Sequence, residues 1–261
     1  MIRFGSLFAG IGGMDLGLER VGMQCAWQVE IDEFCRKVLA KHWPDVPKFN
    51  DVKECGRYNL EPVDLICGGF PCQDISNAGK RVGIDGERSG LWSEFHRIIC
   101  DLRPRYVLVE NVAALLVRGL DRVLSDLASI RYDAEWRVFS ACEMGFPHSR
   151  ERLFLIAYPT SERRKETVLG NSAPSFSWTS ETGKRSKDWL SIEVEAPGPV
   201  AETWGPEIHG KVEPVFLCVV NGLPRTVDID RQIRALGNAV VPPIAEWIGQ
   251  QIMKQEVSNG F

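Results

Sequence analysis

The chain has 261 residues, 44% apolar and 25% charged, and its 35 acidic and 31 basic side chains give a net charge of −4. This length fits one large α/β domain with a small appended one, and the composition excludes wholesale disorder. Apolar runs such as 107–109 and 153–157 are far shorter than the roughly 20 residues needed to cross a bilayer. Residues 1–20 lack a signal-peptide pattern. We therefore expect a soluble, intracellular protein.

The negative net charge argues against a surface that is basic overall, as many nucleic-acid-binding proteins have. A local basic patch can still occur on a chain whose other surfaces are acidic. The eight cysteines form no Cys-x-x-Cys pair, and the four histidines lie at unrelated positions. This spacing excludes an ordinary structural zinc site. We expect free, reduced thiols and no metal.

In chain order, residues 1–157 alternate short β-rich apolar runs with helical stretches. Such alternation is typical of a parallel sheet with crossover helices. The predicted strands are 2–8, 24–30, 63–68, 106–110, 134–140 and 152–157, and the predicted helices are 13–21, 33–42, 93–102 and 120–130. The pattern predicts a doubly wound, mostly parallel sheet that binds ligands at the carboxyl ends of its strands.

Residues 159–214 differ in character, because Ser, Thr, Gly, Pro and charged residues dominate and apolar periodicity fades. Apolar runs return from 215, and a helix is predicted to begin at Pro243. We therefore predict a large domain built from 1–157 and 231–261, with a small, irregular domain at 158–230.

A glycine-rich turn, Phe-Ala-Gly-Ile-Gly-Gly at 8–13, joins the first predicted strand to the first helix. Glycines at such a turn let the backbone approach a ligand at the helix N-terminus. Glu30 follows Gly10 by twenty positions and ends the second predicted strand, where an acid can bind ribose hydroxyls. The two features predict an adenosine-containing cofactor, and leave open a dinucleotide or S-adenosylmethionine.

The segment Gly-Gly-Phe-Pro-Cys-Gln at 68–73 directly follows another predicted strand. It places Cys72 at the functional edge of the sheet, before a polar, glycine-rich stretch. A packed core thiol is the alternative for any single cysteine. Its surroundings make Cys72 the candidate nucleophile.

The sequence contains five motifs in the same order as in cytosine-C5 DNA methyltransferases of the bacterial and phage type. They are Phe-Ala-Gly-x-Gly-Gly at 8–13, Gly-Phe-Pro-Cys-Gln at 69–73, Glu-Asn-Val at 110–112, Arg-x-Arg at 150–152 and Gly-Asn-Ala-Val at 237–240. The chain resembles this family over about 1–157 and 231–250. It departs at Ser6, where the family often has Asp, and at His148, where it often has Gln. The resemblance implies a Rossmann-like methyltransferase domain with a small target-recognition domain.

The resemblance also implies the chemistry. Cys72 would add to C6 of a cytosine flipped out of a specific duplex sequence, and Glu110 would assist at N3. Arg152 would bind the O2 atom of the base and steady Glu110, and Arg150 would support it or contact DNA.

S-adenosylmethionine is the implied cofactor, with S-adenosylhomocysteine as product and no metal. The implied cofactor-binding residues are Phe8, Gly10, Gly12, Glu30, Ile31, Asp51, Val52, Pro71, Leu91, Asn238 and Val240.

Duplex DNA is the implied partner of a monomeric, cytoplasmic enzyme of a bacterial cell or phage-infected host. A cognate restriction endonuclease would act separately. The implied DNA contacts are Ser76 and Arg88, with Arg163, Arg164, Lys184 and Arg185 in the small domain; solvated loops explain these basic clusters nearly as well. Positive potential should be confined to the cleft between the domains. The alternatives are a tRNA cytosine-C5 methyltransferase and a catalytically inactive DNA-binding relative.

Overall fold

A seven-stranded sheet forms the centre of the computed structural model, which describes residues 1–71, 91–144, 150–161, 168–169 and 239–258. The strand order is β3-β2-β1-β4-β5-β7-β6. The strands are β1 Arg3–Leu7, β2 Gln24–Val29, β3 Lys48–Phe49, β4 Leu65–Gly68, β5 Tyr106–Val112, β6 Tyr132–Ser140 and β7 Glu151–Pro159. Only the pairings of β7, with β5 and with β6, are antiparallel within the described sheet. The predicted doubly wound, mostly parallel sheet is confirmed.

Helices cover both faces of this sheet. They are α1 Gly13–Arg20, α2 Glu33–His42, α3 Leu91–Leu102, α4 Leu115–Arg118, α5 Leu120–Ser129 and α6 Pro242–Ser258, with 3-10 turns at Val52–Glu54 and Ala141–Met144. Side chains of α3 and α5 pack in one apolar cluster, and those of α1 and α6 pack in another. Neighbouring strand residues such as Val107 and Leu108 alternate between the two clusters. Burial on both faces explains why the central strands are nearly continuous apolar runs.

The C-terminal helix is fastened to the sheet by a buried carboxylate. Glu256, 7% exposed, accepts hydrogen bonds from Arg105 Nη1 at 2.7 Å and Nη2 at 2.8 Å. The Tyr106 hydroxyl donates to the same carboxylate at 2.8 Å. Gly17 of α1 lies so close to the carbonyl oxygen of Pro242 that a side chain there would clash. Residues 239–258 therefore pack directly on the large domain.

The structure differs from the predicted elements in three ways. β3 and α4 were not predicted, because two and four residues are too short to show a period. β7 is antiparallel and lies between β5 and β6. β5 continues to Val112, which pairs with Arg152. Glu110 thus lies within its strand, and the predicted end of that strand at 110 is wrong.

Most of the predicted small domain lies outside the described residues. Val168 and Leu169 are buried among side chains of the α1 and α6 cluster. Glu135 of β6 accepts both of their backbone N–H groups at 3.1 Å. These two residues therefore pack on the sheet domain.

In the described ranges, no helix has the length and apolarity to span a bilayer. The same residues contain no group of three or more His, Cys, Asp or Glu side chains placed to hold a metal ion.

Candidate active site

The glycine-rich loop lies at the carboxyl edge of the sheet, between β1 and α1. Phe8, Gly10 and Gly12 all have positive φ angles, of 53°, 57° and 84°. The loop is closed by hydrogen bonds from Ala9 N to Val29 O at 3.1 Å and from Gly12 N to Ala9 O at 2.9 Å. A side chain at position 12 would meet the Trp43 ring. Two of the predicted glycines are therefore required by backbone geometry, and Gly12 also by space.

Glu30 follows β2, and its carboxylate accepts a hydrogen bond from the backbone of this loop. Its Oε2 accepts the N–H of Gly10 at 2.7 Å, and its Oε1 accepts that of Asp32 at 2.8 Å. Burial raises the pKa of Glu30, although these two hydrogen bonds act in the opposite direction. Ile31, beside it, is 71% exposed. The pair offers carboxylate lone pairs and an open apolar surface, as a nucleoside would need.

Asp51 lies at the next position along this edge. It caps the 3-10 turn at Val52–Glu54, and its Oδ1 accepts the N–H of Lys53 at 3.0 Å. Val52 is only 4% exposed and packs in the core, and its carbonyl oxygen accepts a hydrogen bond from Arg97. The Val52 side chain has almost no surface to offer a cofactor. The contact of Asp51 with an adenine amino group stays a prediction.

Glu110 and Arg152 form an ion pair across the antiparallel strands β5 and β7. Arg152 Nε lies 3.0 Å from Glu110 Oε1, and Glu110 is 8% exposed. Burial raises the pKa of Glu110, and the nearby guanidinium groups of Arg152 and Arg150 partly offset this. The ion pair thus holds the carboxyl group in one orientation. Burial makes its neutral form more favourable than it would be in water. A carboxylic acid of this kind can donate a proton.

The chain that leads to Cys72 is fastened to the same strand. Asn111, 2% exposed, donates from Nδ2 to the carbonyl oxygen of Phe70 at 3.1 Å. A Cβ atom at Gly69 would lie 2.5 Å from Glu110 Oε2. The turn at 69–71 therefore lies against the carboxyl group of Glu110. In the sequence, Asn111 is recognisable only as part of the Glu-Asn-Val motif. The signal for a structural role is that it is a lone amide in the apolar run of β5.

Arg150 immediately precedes β7. Its Nε and Nη2 are buried and have no hydrogen-bond partner within the described part of the chain. Burial, together with the neighbouring charge of Arg152, lowers the pKa of Arg150 to about 10, although Glu110 acts against this. Unpaired buried guanidinium nitrogens of this kind are suited to bind an anion or carbonyl oxygen of a ligand.

The remaining predicted site residues divide into two sets. Pro71 ends the described turn, Leu91 begins α3, and the carbonyl oxygen of Val240 contacts Gly13 at the start of α1. The other predicted positions lie outside the described residues: Cys72, Ser76, Arg88, Arg163, Arg164, Lys184, Arg185 and Asn238.

Comparison with known proteins agrees with these features. Residues 2–200 match the family model for C-5 cytosine-specific DNA methylase. Over 200 residues the chain is 33% identical to the type II methyltransferase M.DsaV of Dactylococcopsis salina, covering 74% of this chain and 54% of the relative. It is 29% identical over 301 aligned residues to M2.BsuMI of Bacillus subtilis, covering 97% and 76%.

The chain spans about half the length of several of these relatives, M.DsaV among them. The fold also matches the crystal structure of the S. pombe Dnmt2 methyltransferase, with a TM-score of 0.66, 17% identity and full coverage of both chains. The family expected from the five motifs is confirmed, and the chain belongs to the C-5 cytosine-specific DNA methylase family.

Proposed function

We propose that the protein is a DNA (cytosine-5-)-methyltransferase that moves a methyl group from S-adenosylmethionine to C5 of cytosine in a specific duplex sequence. The observation that carries this proposal is the buried Glu110–Arg152 pair at 3.0 Å, set against the turn that leads to Cys72. A carboxyl group with raised pKa beside a guanidinium group is suited to a ring that must gain a proton at N3 and be held at O2.

The reaction begins with addition, because C5 of cytosine is a poor nucleophile. The Cys72 thiolate forms a bond to C6, electron density moves to N3, and Glu110 gives N3 a proton. C5, now enamine-like, takes the methyl group. A base then removes the proton of C5, the C6–Sγ bond breaks, and Cys72 leaves as thiolate. N3 returns its proton to Glu110, which leaves neutral 5-methylcytosine and restores the acid.

The residues at the glycine loop suit the cofactor. The methyl donor, when bound, supplies an electrophilic methyl group attached to a sulfonium. Transfer of this methyl group leaves a neutral thioether. Glu30 would accept from the ribose hydroxyls, Ile31 would pack on the adenine, and Asp51 would accept from its amino group. The carboxylate and apolar surfaces seen at these three positions fit those tasks.

The target base would have to leave the helix, because C6 is out of reach in a stacked duplex. Ser76 and Arg88 would contact the extruded nucleotide, and the basic residues of 158–230 would contact the flanking DNA. We place the protein in the cytoplasm as a monomer. The relatives' designation as type II methyltransferases supports pairing with a separate restriction endonuclease.

Isotope-labelled methyl donor, offered with mixed-sequence duplex DNA or with tRNA, tests the substrate. We expect label in DNA, and bisulfite sequencing of expression-host DNA should show 5-methylcytosine in one sequence context. Label in tRNA alone would favour the RNA enzyme, and no label in either would favour an inactive DNA-binding relative.

Variants test the nucleophile. Cys72→Ala should abolish transfer and leave cofactor affinity within about twofold of wild type. Cys100→Ala, which removes an exposed thiol of α3, should retain full activity. Transfer by Cys72→Ala at the wild-type rate would overturn the mechanism.

A further inference from the structure

A buried carboxylate without a counter-ion lies beneath the glycine loop. Asp15, in the first turn of α1, is fully buried. Its Oδ2 accepts the Ser6 hydroxyl at 2.9 Å, and its Oδ1 accepts Gln28 Nε2 at 2.8 Å. Among the residues that the structure describes, no Lys, Arg or His side chain pairs with it. Such a buried charge costs stability, so its presence calls for a reason.

The three polar residues of this cluster bracket the loop. Ser6 lies two residues before Phe8, Asp15 lies three residues after Gly12, and Gln28 lies two residues before Glu30. The Ser6–Asp15 hydrogen bond therefore joins the two ends of the glycine loop. The carboxylate is therefore held between the first turn of α1, which follows the loop, and the strand residues Ser6 and Gln28, which precede the loop and Glu30.

The electrostatics of this position are unusual for a glycine loop. The N-terminus of α1 has no side-chain cap, and an uncapped helix N-terminus after such a loop attracts anions such as a pyrophosphate. A carboxylate in the first turn opposes that field. Glu30, on the other side of the loop, adds a second acid. Together they make the loop unfavourable for an anion and favourable for a cation.

We propose that Asp15 is a specificity-determining residue, whose charge makes the glycine loop select the cationic sulfonium of S-adenosylmethionine over neutral or anionic adenosine ligands. This inference rests on the proposed function, since it concerns the same cofactor pocket. It also answers the question that the sequence left open, because the loop and Glu30 alone suit either a dinucleotide or S-adenosylmethionine.

The protonation state of Asp15 is consistent with this role. Burial raises its pKa from 3.8 to about 6, against the effect of the hydrogen bonds from Gln28 and Ser6. The carboxyl group is therefore largely ionised at pH 7.5. The other titratable groups around it are Glu19 of α1, Cys25 of β2 and Cys67 of β4; burial raises the pKa of both thiols, so they are neutral there.

Binding of S-adenosylmethionine and S-adenosylhomocysteine, measured without DNA by titration calorimetry, tests the proposal. The two ligands differ in the methyl group and the sulfonium charge, and the measured ratio is the Kd of S-adenosylhomocysteine divided by that of S-adenosylmethionine. The contribution of the methyl group is common to all variants, so the change in this ratio between wild type and a variant reports the effect on the charge. Asp15→Asn keeps the shape, and rotation of the Gln28 amide can restore its hydrogen bond because Gln28 Oε1 has no partner within the described residues. We expect this variant to lose about three- to tenfold in preference for the cation.

Ser6→Ala is the matched control, since it removes a hydrogen bond to Asp15 but leaves the carboxyl group in place. Because loss of this bond raises the pKa of Asp15 further, the control is compared with wild type at pH 8.5, where the carboxyl group is ionised in both proteins. It should retain the wild-type ratio within about twofold. The wild-type ratio should also fall as pH decreases from 8 to 5.5, because the Asp15 carboxylate becomes protonated. The ratio of Asp15→Asn should change less, because this variant lacks that carboxylate, and Glu30 is present in both proteins.

Two results would overturn the inference while leaving the proposed function standing. One is an unchanged Kd ratio in Asp15→Asn, and the other is an equal loss of preference in Ser6→Ala, which would show a purely structural role. A wild-type protein that binds neither ligand would instead refute the proposed function.

Discussion

Asn111 Nδ2 donates a hydrogen bond to the carbonyl oxygen of Phe70 at 3.1 Å, which ties the turn before Cys72 to the strand that carries Glu110. The same amide accepts the N–H of Val112 at 2.9 Å through Oδ1. One buried side chain thus joins the turn at 69–71, which precedes the proposed nucleophile in the chain, to the strand that carries the proposed acid. Asn111 is a positioning residue, because it acts through Phe70.

Asn111→Asp should separate this positioning from packing. The carboxylate keeps the acceptor for Val112 but cannot donate to Phe70, so the turn loses its anchor. We expect kcat for methyl transfer to fall about 10- to 100-fold, as misplacement of a reacting group does. KM for the methyl donor should stay within about twofold. Unchanged kcat in a well-folded Asn111→Asp protein would contradict the assignment.

Glu110→Gln should lower single-turnover methyl transfer by about 100-fold at neutral pH, because an amide can hydrogen-bond to N3 but cannot protonate it. The pH dependence carries the sharper test. Burial raises the pKa of Glu110 above its ordinary 4.5, so the protonated, active form persists to higher pH and is lost as pH rises through the folded-state value.

The advantage of wild type over Glu110→Gln should therefore shrink as pH increases. The test compares the ratio of the wild-type rate to the Glu110→Gln rate at each pH. A ratio that rises with pH would show that Glu110 acts as an anion.

The sequence predicts most of this fold because buried parallel strands are continuous apolar runs separated by amphipathic helices. It does not predict that β7 is antiparallel, since a strand buried in a sheet has the same composition in either direction. That direction is what brings Arg152 to Glu110, by pairing it with Val112. The motifs predict that Glu110 and Arg152 act together. The geometry of their ion pair follows only from the register of β5 on β7.

Asp15 shows a different limit. An acid in the first turn of a helix normally interacts with the helix dipole at the surface, so its sequence position gives no sign of burial. Ser6 and Gln28 are separated from it by nine and thirteen residues and become neighbours only in the folded sheet.

Glu256→Gln should destabilise the protein, because it removes the negative charge that accepts two hydrogen bonds from Arg105 at the junction of α6 and β5. The Arg105 side chain is 30% exposed, so solvent screens part of the loss and we expect about 1–3 kcal/mol in the free energy of unfolding. Urea denaturation measures this. Lys37→Ala, which breaks the exposed Lys37–Glu33 pair, is the matched control and should cost no more than about 0.5 kcal/mol. Equal effects of the two variants would show that the Arg105–Glu256 pair contributes no more to the free energy of unfolding than a surface ion pair does.

The burial of Asp15 should appear as a pH-dependent cost in stability. Its folded-state pKa is about 6 and its ordinary value is 3.8, so unfolding lets the carboxyl group ionise more readily. The wild-type protein is therefore penalised as pH rises from 3.8 through about 6, and the penalty then stays constant. At about 1.4 kcal/mol per pKa unit, the full effect is about 3 kcal/mol.

Asp15→Asn carries no such titration, and Glu30 and Glu110 titrate in both proteins. The free energy of unfolding of wild type minus that of Asp15→Asn should thus decrease by about 2 kcal/mol between pH 4 and pH 7, as measured by urea denaturation at each pH, because part of the full effect is already present at pH 4. A difference that does not change with pH would show that Asp15 ionises as easily in the folded protein as in the unfolded chain. In that case the carboxylate would not be held in a low-dielectric site, and its influence on a cation above the glycine loop would be screened.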